Sequence, residues 1–159
     1  MNRRGFLLAS ETLKIVIAVI CIGFLIYFLV HLYFTNINQQ KSGEAEASLR
    51  NKIIPEIQRV DGGAGYKPDG IHIPNPSGWR LMSFVGEEKK PNSCAGENCL
   101  CICRNVVLNI LDKQIKTCDE KGACGVVSNL KDFTKIKIEK DGVGVLIKKI
   151  NNWIEISEK

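Results

Sequence analysis

The sequence predicts an α+β protein: a long N-terminal transmembrane and amphipathic helix followed by a small antiparallel β-rich, disulfide-braced domain. Three observations predict it. Twenty consecutive residues, from Ile15 to Phe34, carry no formal charge, and fourteen of them are Ile, Val, Leu or Phe. Apolar residues then recur at helical spacing as far as Val60. Beyond Gly78 the pattern changes to strand-like alternation, and six of the seven cysteines lie there. The expected divisions are a basic leader and span over 1–35, an amphipathic stalk over 36–60, a Gly/Pro linker over 61–78 and an extracytoplasmic Cys-rich β domain over 79–159.

A helix of the length of the apolar run measures about 30 Å, the thickness of the bilayer hydrocarbon core. Summed on an insertion scale, its Ile, Val, Leu and Phe residues contribute roughly −4 to −8 kcal/mol, which outweighs the costs of His31, Gly23 and the two tyrosines. The run is longer than the apolar region of a cleaved secretory signal, and its exit, Leu32-Tyr33-Phe34, is bulky where a cleavage site needs small residues. The lipid bilayer is therefore the first expected partner. Arg3, Arg4 and Lys14 precede or open the span, and no base follows until Lys41. That bias keeps the N-terminus in the cytoplasm and places residues 35–159 outside a cell membrane crossed once.

After the polar stretch 35–43, Leu49, Ile53, Ile57 and Val60 fall on one face of a helix running from Glu44 to Val60. Ser42 is a candidate cap, and Pro55 requires the helix to end near Ile54 or to kink. If the span and this helix form one rod, it reaches about 75 Å from Glu11 to Val60. The segment 61–78 is rich in Gly and Pro and reads as an ordered connection that leaves His72 in a loop.

The remainder predicts strands. Trp79, Leu81, Ser83 and Val85 face one way, and Arg80, Met82 and Phe84 the other. Asn98 to Val107 and Gly125-Val126-Val127 are further candidates. Lys135 to Lys140 alternates strictly, turns at Asp141-Gly142 and returns over Val143 to Lys149; Asn151-Asn152 turns again before Trp153 to Ile156. Val106 to Leu111 also fits a short helix. Asp119 to Gly122 reads as a turn without the alternating acidic ligands of a calcium loop.

Cys94, Cys99, Cys101, Cys103, Cys118 and Cys124 are the disulfide candidates, since an even count in a small extracytoplasmic domain reads as a bridged framework. Cys99, Cys101 and Cys103 project from one strand face with parallel Cβ vectors, which disfavours bonds among them. Each then takes a partner from the other three cysteines, reducing fifteen connectivities to six. A hairpin folding back around Leu111 to Gln114 sets Cys101 opposite Cys124. The rival chemistry is metal: Cys-x-Cys-x-Cys supplies three thiolates, and a fourth would complete a zinc or iron–sulfur site. No Cys-x-x-Cys is present, and the two histidines, His31 and His72, lie in the span and linker. Cys21, inside the span, reads as apolar filler. Trp79 and Trp153 read as core or edge packing, although an exposed aromatic can anchor a partner.

Residues 35–159 hold 19 Lys and Arg against 16 Asp and Glu, an interspersed balance without the basic, aromatic-laced patch that nucleic acid requires. No hydrolase elbow, phosphate loop or His-Glu helix occurs, so neither an enzyme nor a cofactor is expected.

Two resemblances carry these readings further. The leader Met1-Asn2-Arg3-Arg4-Gly5, then Phe6, Glu11 and the apolar helix, resembles the class III signal region of type IV pilin-like proteins. That resemblance implies cleavage after Gly5, Glu11 in the place of the family's early glutamate, and a helix that packs in a filament core or stays in the membrane. The segment from Gly78 to Trp153, with Asn98-Cys99-Leu100-Cys101-Ile102-Cys103, is similar to the Cys-rich heads of uncharacterised archaeal membrane proteins and implies no activity. The expected function is a membrane-anchored structural or interaction protein that assembles with itself or with other envelope proteins. The alternatives are an anchored thiol-redox or metal-binding (Zn or Fe–S) envelope protein and an accessory subunit of a membrane complex.

Overall fold

A computed structural model describes residues 3–106 and 111–159, with side chains described from Thr12 onward. The chain forms two compact units, Met1–Asn38 and Gln39–Lys159. Helix α1 (Arg3–Ser48) supplies the first unit and enters the second. It is long and apolar enough to cross a membrane, and its most apolar stretch has no buried residue.

The apolar spacing read over 44–60 corresponds to a buried stripe: Leu49, Ile53, Ile57 and Val60 all enter the core of the second unit. Each such side chain contributes about 1.5–3 kcal/mol when removed from water. The helix does not restart at Gly43, which lies inside α1, so Ser42 has no N-terminus to cap. Pro55 is accommodated by a π-helical turn, Leu49–Ile53, ahead of α2 (Ile54–Asp61). There the Ile54 N–H reaches back to Leu49 O, widening the helix just before the residue that has no N–H to give.

Two antiparallel sheets enclose this helix face. One orders β1 (Ile71–Ile73), β6 (Val143–Ile150) and β7 (Trp153–Glu158) as β1-β6-β7. The other orders β4 (Ala123–Val126), β3 (Cys99–Cys103), β2 (Arg80–Phe84) and β5 (Ile136–Lys137) as β4-β3-β2-β5. Trp79, Leu81 and Val85 face the main core while Met82 and Phe84 face the cysteines, the alternation read from the sequence.

Four expectations fail here for identifiable reasons. β1 lies within the Gly/Pro-rich segment, so His72 is a strand residue paired with Gly144 and not part of a loop. Lys52 Nζ and Ser48 Oγ bond the His72 and Asn75 carbonyls, and Lys41 Nζ bonds that of Ser77, tying this segment to the helix. Residues 135–149 do not form a hairpin ladder. Ile138 exchanges hydrogen bonds with Gly78 and Trp79, drawing β5 onto β2, and only a Glu139–Gly142 bridge remains at the turn. The connection from β3 to β4 is no tight hairpin, because α3 (Leu111–Lys121) fills it. Asp119 and Glu120 accordingly belong to a helix, not a turn. The short helix considered over 106–111 falls mostly outside the described residues.

Turn chemistry agrees with the sequence at two places. Asn151 and Asn152 both adopt positive φ between β6 and β7, a conformation asparagine tolerates. Gly142 has φ +85°, and a Cβ there would meet His72 Cε1 at 2.5 Å and Ile73 O at 2.6 Å.

A disulfide cluster and the contacts that hold it

β3 carries the cluster. Its residues alternate, so Leu100 and Ile102 enter the main core while Cys99, Cys101 and Cys103 point to the opposite face. All five are fully buried. Their partners come from three other elements: Cys94 from a short 3-10 turn (Asn92–Cys94), Cys124 from β4 and Cys118 from α3. The pairs are Cys94–Cys99, Cys101–Cys124 and Cys103–Cys118, one of the six connectivities left by the strand argument. Cys101 lies directly opposite Cys124 in the register expected, although the intervening chain takes a helical route.

The cluster is compact. The Sγ atoms of Cys94, Cys101 and Cys124 lie within 4.8 Å of one another, and those of Cys99 and Cys101 are 4.0 Å apart. That density invites a metal, but every sulfur in it is bonded to another sulfur, and a disulfide offers no thiolate to a cation. As arranged, the group cross-links. Met82, Phe84 and Ile115 fill the space around it and form a second apolar core.

Two polar residues position the partners, and the sequence reading identified neither in that role. Gln114, buried on α3, donates to the Arg104 carbonyl and accepts from the Val106 N–H, fixing the chain between β3 and the helix beside the Cys103–Cys118 bridge. Asp119 accepts from the Asn92 and Ser93 N–H groups and from the Ser93 hydroxyl, so it caps the turn that presents Cys94. Burial works to raise the Asp119 carboxyl pKa, but these hydrogen bonds outweigh it and hold the group below its ordinary value. Gln114, Ile115 and Cys118 share a helix face, and that spacing is the local signal for α3, where the cysteine framework alone predicts a hairpin. Gly122 ends α3 where a Cβ would sit 2.7 Å from both Cys103 Cβ and Cys118 O.

A separate charge group secures α2. Glu56 is buried yet ion-paired with Arg59 at 2.6 Å and Lys67 at 2.9 Å. The Arg59 hydrogen bond is the main cause of a carboxyl pKa lowered from 4.5 to about 2, with burial opposing it and Lys67 assisting. At the end of α2, Asp61 accepts from Lys149 and Asn129, and both hold its carboxyl below the ordinary value.

Of the other candidates, Gly5, Phe6 and Glu11 lie in α1, and their side chains fall outside the described ones. Cys21 is unpaired and exposed on the apolar helix. Trp79 is core, whereas Trp153 is 50% exposed on β7 and lines a groove. What the fold and this cluster define is an α+β head with two antiparallel sheets and three disulfides, preceded by a long apolar helix. Comparison with protein-family models, with curated proteins and with solved structures finds no match.

Two outcomes follow. Replacing Cys101 and Cys124 together by Ala should cost about 3 kcal/mol, against about 2 kcal/mol for Cys94 with Cys99, because the first bridge closes a longer loop; the separations are 23 and 5 residues. Urea unfolding of the full chain in detergent measures both. Glu56 has a depressed folded pKa, so its contribution is fully present above pH 4.5 and is lost as pH falls toward about 2. Glu56→Gln should flatten the acid limb of stability measured across that window; an unchanged limb would remove Glu56 as its source.

Proposed function

We propose that the chain is a single-pass membrane-anchored structural or interaction protein, with residues 35–159 outside the cell and α1 as the anchor. The observation that carries this reading is the pairing of all six head cysteines on a chain whose N-terminal helix keeps its apolar stretch unburied. Disulfides persist in oxidising spaces, and an unburied run of this length has a natural solvent in lipid. The basic residues ahead of the span and the uncharged stretch after it support the same orientation. Among the described residues, the buried polar side chains of the head, Ser48, Glu56 and Gln114, are all engaged in holding the fold, which supports a head that works by contact.

The most specific form of the proposal is a pilin-like surface subunit, supported by the leader ending at Gly5, by Phe6 and by Glu11. It interacts with the bilayer first and with itself or other envelope proteins through the head.

Protease added to intact cells should degrade the head while leaving an N-terminal membrane fragment, and inverted vesicles should protect it. The mature chain should begin at Phe6 by N-terminal mass; an intact Met1 leaves the plain anchor and removes the pilin-like form. A head protected in cells and degraded in inverted vesicles contradicts the orientation itself.

A further inference from the structure

We propose that the groove beside Trp153 binds a pyranose unit of a glycan. This goes beyond the anchored-head reading by naming a ligand class, and it depends on neither orientation nor leader processing.

The groove, of about 370 Å³, lies where the ends of the two sheets meet. It is lined by Leu130, fully buried, and by Trp153, half exposed and paired across the β6–β7 turn with Ile150, itself 45% exposed. The site is preformed. Lys131 N–H donates to the Ile154 carbonyl and Ile154 N–H to the Asn129 carbonyl, so the segment 129–131 is stitched to β7. Asp132 Oδ1 accepts from Ser83 Oγ at 2.5 Å, fixing the same segment to β2. The groove therefore sits on two ordered strands and a connection that both strands hold.

Its chemistry selects the occupant. An indole offers a flat apolar surface, and the lining carries both donors and acceptors. Lys131 and Glu155 form an ion pair at 2.5 Å, and Asp132 keeps one carboxylate oxygen beyond its Ser83 bond. The Asn151 amide and the Trp153 indole N–H have no partner among the described residues. A pyranose matches this arrangement: one face is C–H and lies against a ring, while its edge carries hydroxyls that donate and accept. The volume suits a small ligand of one or two such rings.

Two other occupants fit less well. An added peptide strand needs an open edge, and at Ile154 that edge of β7 is already taken by Asn129 and Lys131. A basic side chain would find one unengaged carboxylate oxygen, that of Asp132, with the Lys131 ammonium beside it and Glu155 already paired with that lysine.

The test uses the full chain in a zwitterionic detergent, chosen because alkyl glycosides carry the proposed ligand. Glucose, galactose, mannose, N-acetylglucosamine and their disaccharides are titrated while ligand saturation-transfer NMR and the intrinsic fluorescence of Trp79 and Trp153 together are recorded. At least one sugar should bind saturably. Trp153→Ala should weaken it by roughly tenfold or more, and Trp153→Phe, which keeps a ring face, by less. Unchanged circular dichroism and intact disulfides in both variants separate a lost contact from a lost fold. Absence of saturation with every sugar overturns the proposal, as does binding that Trp153→Ala leaves intact. Oligolysine or an extended peptide binding at Trp153 in place of sugars overturns it as well.

Discussion

Leu100 and Ile102 face one hydrophobic core, and Cys99, Cys101 and Cys103 face another, so β3 is buried on both sides and the rest of the head is arranged around that strand. A strand with two buried faces normally reads as a continuous apolar run. Here the second face is made of cysteine, a small side chain that tolerates burial and then forms covalent bonds to whatever covers it. The elements that cover it are short: a 3-10 turn, an eleven-residue helix and a four-residue edge strand. Each contributes one cysteine that bonds it to β3.

The opposite face follows a different rule. Leu49, Ile53, Ile57 and Val60 come from helical structure that enters the head as the end of α1, and they meet Leu100, Ile102 and the inward residues of β6 and β7. Pro55 would interrupt that stripe, and the π-helical turn before it keeps Ile53 and Ile57 on the buried side. Glu56, in the same turn as Ile57, has to be neutralised where it lies, and Arg59 and Lys67 do so from its own helix and from the following loop. The disulfides therefore brace one side of β3, while hydrophobic packing with a charge clasp braces the other.

How much of this could be read in the sequence depended on whether the signal was local. Period-two alternation over Cys99 to Cys103 and over Trp79 to Val85, the helical stripe ending at Val60, and the Asn151-Asn152 turn are all set by neighbouring residues, and the structure contains each of them. The register of Cys101 against Cys124 was reached by a route the chain does not take. The cysteine spacing predicts a hairpin where α3 stands, and the pairing holds because β4 still returns antiparallel beside β3. What stayed hidden was non-local. Lys135 to Lys140 alternates as any strand would, and only the bonds between Ile138 and the Gly78-Trp79 segment assign it to β2. His72 reads as a loop residue because Gly and Pro surround it, yet tertiary pairing with Gly144 makes it a strand. The spacing of Gln114, Ile115 and Cys118 marks one helix face, but the bonds from Asp119 to Asn92 and Ser93 span more than twenty residues, and no local pattern marks them.

The central claim is that β3 is the common strand of all three cross-links. Peptide mapping of the unreduced full-length chain, with fragmentation between Cys99, Cys101 and Cys103, tests it most directly. The account predicts Cys94 linked to Cys99, Cys101 to Cys124 and Cys103 to Cys118, with Cys21 alone open to alkylation. A head cysteine that alkylates before reduction, or a bond joining two of the three β3 cysteines, would contradict it.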